Sequence, residues 1–192
     1  MLQLIRQVVG SLEEYAIIAP MRVLVVATPA QPALVRLTPT LATLAAQGAK
    51  IQAPAALSEE LNREGVPHDP LEAAALDAAI RSLAPADLLV APLGAGDVRE
   101  SLAAITRALS MGANTPLLLT DPADAGDLIG ALSLARGGEG VASATRQRLI
   151  QRAAFAAASA LAPVARGGDQ LPEHEVVLLE RTRSFAHGEN PH

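Results

Sequence analysis

The first uninterrupted apolar run, Val23-Leu24-Val25-Val26-Ala27, follows Arg22 and ends at Thr28. A strand of that pattern is buried on both faces, as in a parallel sheet covered by helices. Leu88-Leu89-Val90 repeats it behind Asp87, and Leu117-Leu118-Leu119 repeats it behind Thr115-Pro116. Lys50-Ile51-Gln52 is a weaker strand. Between these runs the apolar spacing changes from continuous to helical. Leu34, Leu37, Leu41 and Leu44 lie on one helical face, closed by Gly48. Pro39 either interrupts that helix or, with Thr38 as cap, starts a shorter one. Ser58-Glu59-Glu60-Leu61 opens a short helix stopped by Gly65. Asp69-Pro70-Leu71-Glu72 has the cap, the first-position proline and the third-position glutamate of a helix start. The helix it predicts buries Leu76, Ala79, Ile80 and Leu83. Asp97-Val98-Arg99-Glu100 repeats the capping pattern, ahead of a buried stripe of Val98, Leu102, Ile105 and Leu109. Asp121-Pro122 opens a helix weakened by Gly126 and Gly130, and a long Ala-rich helix runs from Ser143 to Leu161.

Strand followed by helix, four times, predicts an α/β fold: a three-layer, open, mainly parallel sheet with helices on both faces. Residues 21–135 form its core. Residues 1–20 carry an amphipathic helix or connector with Leu4, Ile5, Val8 and Leu12 on one face. Residues 136–180 add the long helix and a late strand at Val176–Leu179. Residues 181–192 are a polar tail.

Composition narrows the chemistry. The chain holds three aromatic residues, Tyr15, Phe155 and Phe185, and a net charge of −5. It therefore lacks both the stacking platforms and the basic surface of a nucleic-acid binder, and no nucleic-acid partner is expected. It has no cysteine, which excludes thiolate catalysis and cysteine metal sites and fits a cytoplasmic setting. Arg6 falls inside the first apolar run, unlike a signal peptide, and Ala153–Ala165 is too short to cross a bilayer. None of the histidines is spaced as a helical metal pair, and no serine sits in a nucleophile elbow, so no catalytic residue is assigned.

The candidate ligand residues stand where strands end. Gly94 and Gly96 follow the third predicted strand. There, backbone amides and a helix N-terminus either cradle an anion or simply make a tight turn before a capped helix. A third glycine and a lysine are missing, and Asp97 at the cap repels phosphate. A side chain at Gly96 is expected to obstruct a ligand at little cost in stability. Thr28 and Gln31, after the first strand, add a hydroxyl and an amide. Asp87 precedes its strand, so it belongs to the opposite edge and to structure. His68, in a loop beside Asp69, reads as an exposed histidine.

A second surface is basic: residues 136–166 carry five arginines and one glutamate. Arg148 and Arg152 share a helical face and meet either solvent, an anion or an acidic partner. Leu149, Ala153, Ala156 and Ala160 form a stripe of mostly small residues. That stripe and the N-terminal helix predict a homodimer, with Arg148, Arg152 and Ala156 at the contact.

Arg22-Val23-Leu24-Val25-Val26, the Pro29 loop and Pro32-Ala33-Leu34-Val35-Arg36-Leu37 resemble the start of a universal-stress-protein-like domain. Such domains are the cytoplasmic part of cation-chloride cotransporters and related amino-acid and polyamine carriers. The stretch from Asp87 to Leu119 is similar to that fold's later strand-helix-strand unit. The resemblance implies a non-enzymatic regulatory or interaction domain, a membrane-transporter partner, and a nucleotide-type small molecule. The glycine pattern of the ATP-binding members ends in a glycine and a hydroxyl that are absent after Gly96. Val23 to Gly48 and Leu61 to Pro70, with Gly65-Val66-Pro67, also resemble the N-terminal half of nucleotide-sugar glycosyltransferases. Their catalytic histidine would fall near Ala33. That alternative implies a small-molecule-binding or transferase-like domain using the loops after the first and third strands, inactive alone.

Overall fold

A computed structural model describes residues 21–29, 31–94, 96–135 and 141–165. The predicted N-terminal helix, the Arg136–Gly140 loop, the late strand at Val176–Leu179 and the tail lie outside the described residues. The element order is β1 Arg22–Val25, α1 Pro32–Ala46, β2 Lys50–Pro54, α2 Ser58–Arg63, β3 Asp69–Leu71, α3 Leu76–Arg81, β4 Leu88–Val90, α4 Arg99–Leu109, β5 Leu117–Leu119, α5 Ala125–Ala135 and α6 Ser143–Ala165. The five strands pair in parallel in the order β3-β2-β1-β4-β5. This is the Rossmann-like α/β layout that the alternation of strand and helix predicts.

The uninterrupted apolar strands explain the layering. In β1, Val23 and Val25 face α1, α2 and α5 through Leu34, Leu37, Leu41, Leu61 and Leu128. Leu24 and Val26 point the other way, against Ile80, Ile105, Ala153 and Ala157 of α3, α4 and α6. The five apolar residues of this run, Val23 to Ala27, are at most 2% exposed, so both faces of the central strand are covered.

Among the described residues five strands form, where four were expected over this span. Asp69-Pro70-Leu71, which carries every mark of a helix start, pairs instead with Gln52, Ala53 and Pro54. A proline removes a ladder donor, which an edge strand with one free side accommodates, and β3 is the edge. The helix begins only at Leu76, after a 3₁₀ turn at Ala73–Ala75. Ile80 of α3 and Leu83 just beyond it are buried as predicted, whereas Leu76 and Ala79 are only partly so.

Helix α1 passes straight through Pro39. Pro39 has no N–H for the carbonyl of Val35, and the Thr38 hydroxyl donates to that oxygen instead at 2.8 Å. Thr43 Oγ1 donates to the Pro39 carbonyl at 2.9 Å. The Thr38 hydroxyl thus fills the gap that the proline leaves in the ladder.

Helix α4 is rotated from the predicted stripe. It buries Ser101, Ala104, Ile105 and Ala108, leaving Leu102 and Leu109 half-covered at the side. Small residues on the inner face let α4 approach the sheet and α6 closely. The same rotation occurs in α6, which buries Leu149, Ala153 and Ala157, with Ala156 and Ala160 only partly covered. That stripe packs on β5 and α4 of its own chain.

The edge at the strands' amino ends is fastened by charge. Asp87 is 6% exposed and accepts from Arg22 N at 3.0 Å, Arg22 Nε at 3.0 Å, Arg22 Nη2 at 2.7 Å and Ala84 N at 2.8 Å. A buried carboxylate with four donors ties β1 to β4 and is structural, as its place before the strand implies. Arg146 of α6 closes the same edge by donating to the Pro85 and Thr115 carbonyls, and burial lowers its pKa.

Candidate functional site

The strand order reverses direction at β1, whose two sheet neighbours are β2 and β4. Chain leaving β1 turns toward β2, whereas chain leaving β4 turns toward β5, so the carboxyl edge between them is a switch point of the kind at which open α/β sheets form a crevice. Open α/β sheets bind ligands at this switch point. Thr28, Gln31, Gly94 and Gly96, the strand-end residues of the sequence, belong to these two loops.

The loops meet through two long-range hydrogen bonds. Gln31 Nε2 donates to the Pro92 carbonyl at 2.9 Å, and Thr28 Oγ1 donates to the Asp97 carbonyl at 3.2 Å. Gln31 is the N-cap residue of α1 and is 2% exposed. Its amide head is therefore held between the loops. The bond to Pro92 O fixes which amide atom is nitrogen, since the flipped amide would set oxygen against oxygen. The remaining atom, Oε1, is buried and has no hydrogen-bond donor among the described residues. A buried polar atom left so costs about 1–3 kcal/mol.

Gly94 stands against the first turn of α1: a Cβ built there would lie 3.4 Å from the Ala33 Cβ. Gly96 has a different reason to be glycine. Its φ is +110°, and a Cβ at this position would meet nothing within 4 Å, so backbone conformation and not space demands it. The expectation that a side chain at Gly96 costs little stability is thereby corrected.

Asp97 is not the N-cap of α4; Val98 holds that position. The Asp97 carboxylate accepts from Arg99 N at 3.1 Å and from Arg99 Nη2 at 2.6 Å. The Arg99 side-chain hydrogen bond is the chief cause that lowers the Asp97 pKa from 3.8 to about 2. The rim of the crevice thus carries a carboxylate that is ionised near neutrality and paired with the Arg99 guanidinium. Below it, Ser101 Oγ donates to the Val26 carbonyl at 3.1 Å, fixing α4 to the end of β1.

The basic face resolves differently. Arg148 pairs with Asp127 at 3.1 Å, and Arg152 pairs with Asp124, whose side chain is 7% exposed. The acidic surface that these arginines meet is the start of α5 in their own chain. Both arginines thus tie α6 to its own domain, and Ala156 is half-covered.

His68 is half-buried, not a free loop residue. Its Nδ1 contacts the Val66 carbonyl at 3.0 Å and its Nε2 contacts Ser58 Oγ at 3.0 Å. The tautomer with the proton on Nδ1 satisfies both, and the ring then ties the β3 approach to the start of α2. No sequence spacing signals this contact. Among the described residues, no group of three or more His, Asp or Glu could hold a metal ion, and no helix is long and apolar enough to cross a membrane.

Compared with known proteins, the chain matches no family model and no curated protein sequence.

Proposed function

We propose that this chain is a non-enzymatic regulatory domain that binds a nucleotide-type small molecule in the crevice between the β1 and β4 loops. The observation that carries the reading is the sheet order β3-β2-β1-β4-β5, whose reversal brings Thr28 and Gln31 beside the Gly94–Gly96 loop. Ligand binding at such reversals follows from diverging loops at the carboxyl edge. Binding without turnover is favoured by the chemistry of the two loops. Residues 26–31 and 91–98 contain one ionisable side chain, Asp97, and no histidine, lysine, cysteine or glutamate. With its pKa lowered to about 2 by Arg99, Asp97 has no proton to exchange near neutrality. The regulatory part of the reading rests on the resemblance of residues 22–52 to carrier-associated universal-stress-like domains.

A thermal-shift panel of nucleosides, nucleotides and nucleotide sugars tests it. At least one class should raise the melting midpoint with concentration, because a ligand held only by the native state stabilises it. Thr28→Trp, which fills the crevice mouth, should cancel the rise. A panel with no response, or a response that Thr28→Trp leaves intact, contradicts the proposal.

A further inference from the structure

Several backbone amides around the crevice are already committed, whereas one buried acceptor is not. The N–H groups of Ala91 and Leu93 donate to Leu119 O and Thr120 O of the β5 side. Those of Leu34 and Val35 donate to Gln31 O, and that of Arg99 to the Asp97 carboxylate. These five amides are committed to the protein's own oxygens. Two acceptors stand opposite them. Gln31 Oε1 is buried without a donor among the described residues, in a side chain that is almost wholly covered. The Asp97 carbonyl is held by the exposed 3.2 Å bond from Thr28. The Asp97 carboxylate at the same rim is already paired with Arg99.

Resting on the crevice reading above, we infer that the ligand is recognised through a neutral N–H donor, the exocyclic amine of a nucleobase, delivered to Gln31 Oε1, and not through phosphate. The amine enters by parting the loops at the Thr28–Asp97 bond, the longer of the two ties. Its first hydrogen satisfies Gln31 Oε1, and its second can replace the Thr28 hydroxyl on the Asp97 carbonyl. Gln31 Nε2 keeps its bond to Pro92 O throughout, so the acceptor is aimed before the ligand arrives. A phosphate offers only acceptors to Gln31 Oε1 and the Asp97 carbonyl.

Calorimetry on the full chain with adenosine, purine riboside (adenosine without its amine), ATP and inorganic phosphate tests the inference. Adenosine should bind, purine riboside at least about 10-fold more weakly, because a site built for a donor rejects the analogue that lacks it. ATP should bind no tighter than adenosine, and phosphate should give no heat. In Gln31→Met the preference for adenosine over purine riboside should vanish, which makes the pair a double-mutant cycle. The adenosine–purine riboside comparison on the unmutated protein keeps the test decisive if Gln31→Met fails to fold. Equal affinities, a preference surviving in Gln31→Met, ATP far tighter than adenosine, or no binding of adenosine would each overturn the inference. ATP bound far tighter than adenosine, and lost in Thr28→Trp, would do so while leaving the crevice reading standing. Silence from the entire thermal-shift panel would remove both.

Discussion

Gly96 and Asp97 are adjacent at the crevice rim and answer to different constraints. Gly96 stands at φ +110°, where a β-branched side chain strains the backbone whatever the surrounding space. Gly96→Val should lower stability by about 1–3 kcal/mol in a denaturant titration. A value near zero would contradict the assigned backbone conformation. Asp97 is held ionised by Arg99, with a pKa lowered to about 2. Since the folded value lies below the ordinary 3.8, the stability linked to this group is present above about pH 4 and lost as pH falls toward 2. Carbon-detected NMR titration should return a value near 2 for Asp97. Arg99→Ala should restore it toward the ordinary carboxylate range, and an unchanged value in that variant would show that Arg99 is not the cause.

At the scale of the element, Thr38 and Pro39 show how α1 survives an interior proline. Because Thr38 Oγ1 serves the Val35 carbonyl that Pro39 cannot, Thr38→Val should cost about 1 kcal/mol, read from the shift in denaturation midpoint. Pro39→Ala supplies the missing N–H and should stabilise; a destabilised Pro39→Ala would mean that the helix depends on its proline. The elements differ in how far the sequence reveals them. β1, β4 and β5 are legible because an unbroken apolar run has no other stable placement in an α/β protein. Asp69-Pro70-Leu71 is not, since a cap followed by proline suits a helix start and an edge strand equally, and only the free edge beside β2 decides. The stripes of α4 and α6 are legible as helices but not in rotation. Alanine sits on several faces of both, so packing on the domain chose Ala108 and Ala157 where spacing favoured Leu109 and Ala156.

For the molecule as a whole, the four strand-end residues Thr28, Gln31, Gly94 and Gly96 are nameable from sequence because loops after buried parallel strands gather at one edge. Their pairing is not. Gln31 and Pro92 are 61 residues apart, and Thr28 and Asp97 are 69, so no local pattern links them. The order of strands alone brings them together. The same order seats α6, with Arg148 and Arg152, on the acidic start of α5. The central claim is that the carboxyl-edge crevice between β1 and β4 is the binding site. Backbone amide mapping by NMR, with nucleosides and nucleotides titrated one at a time, tests it most directly. Shifts should concentrate in residues 26–31 and 91–98 and spare the Asp87–Arg22 edge. Ligands that perturb the Asp87 edge or the outer face of α6, and leave both loops silent, would contradict it.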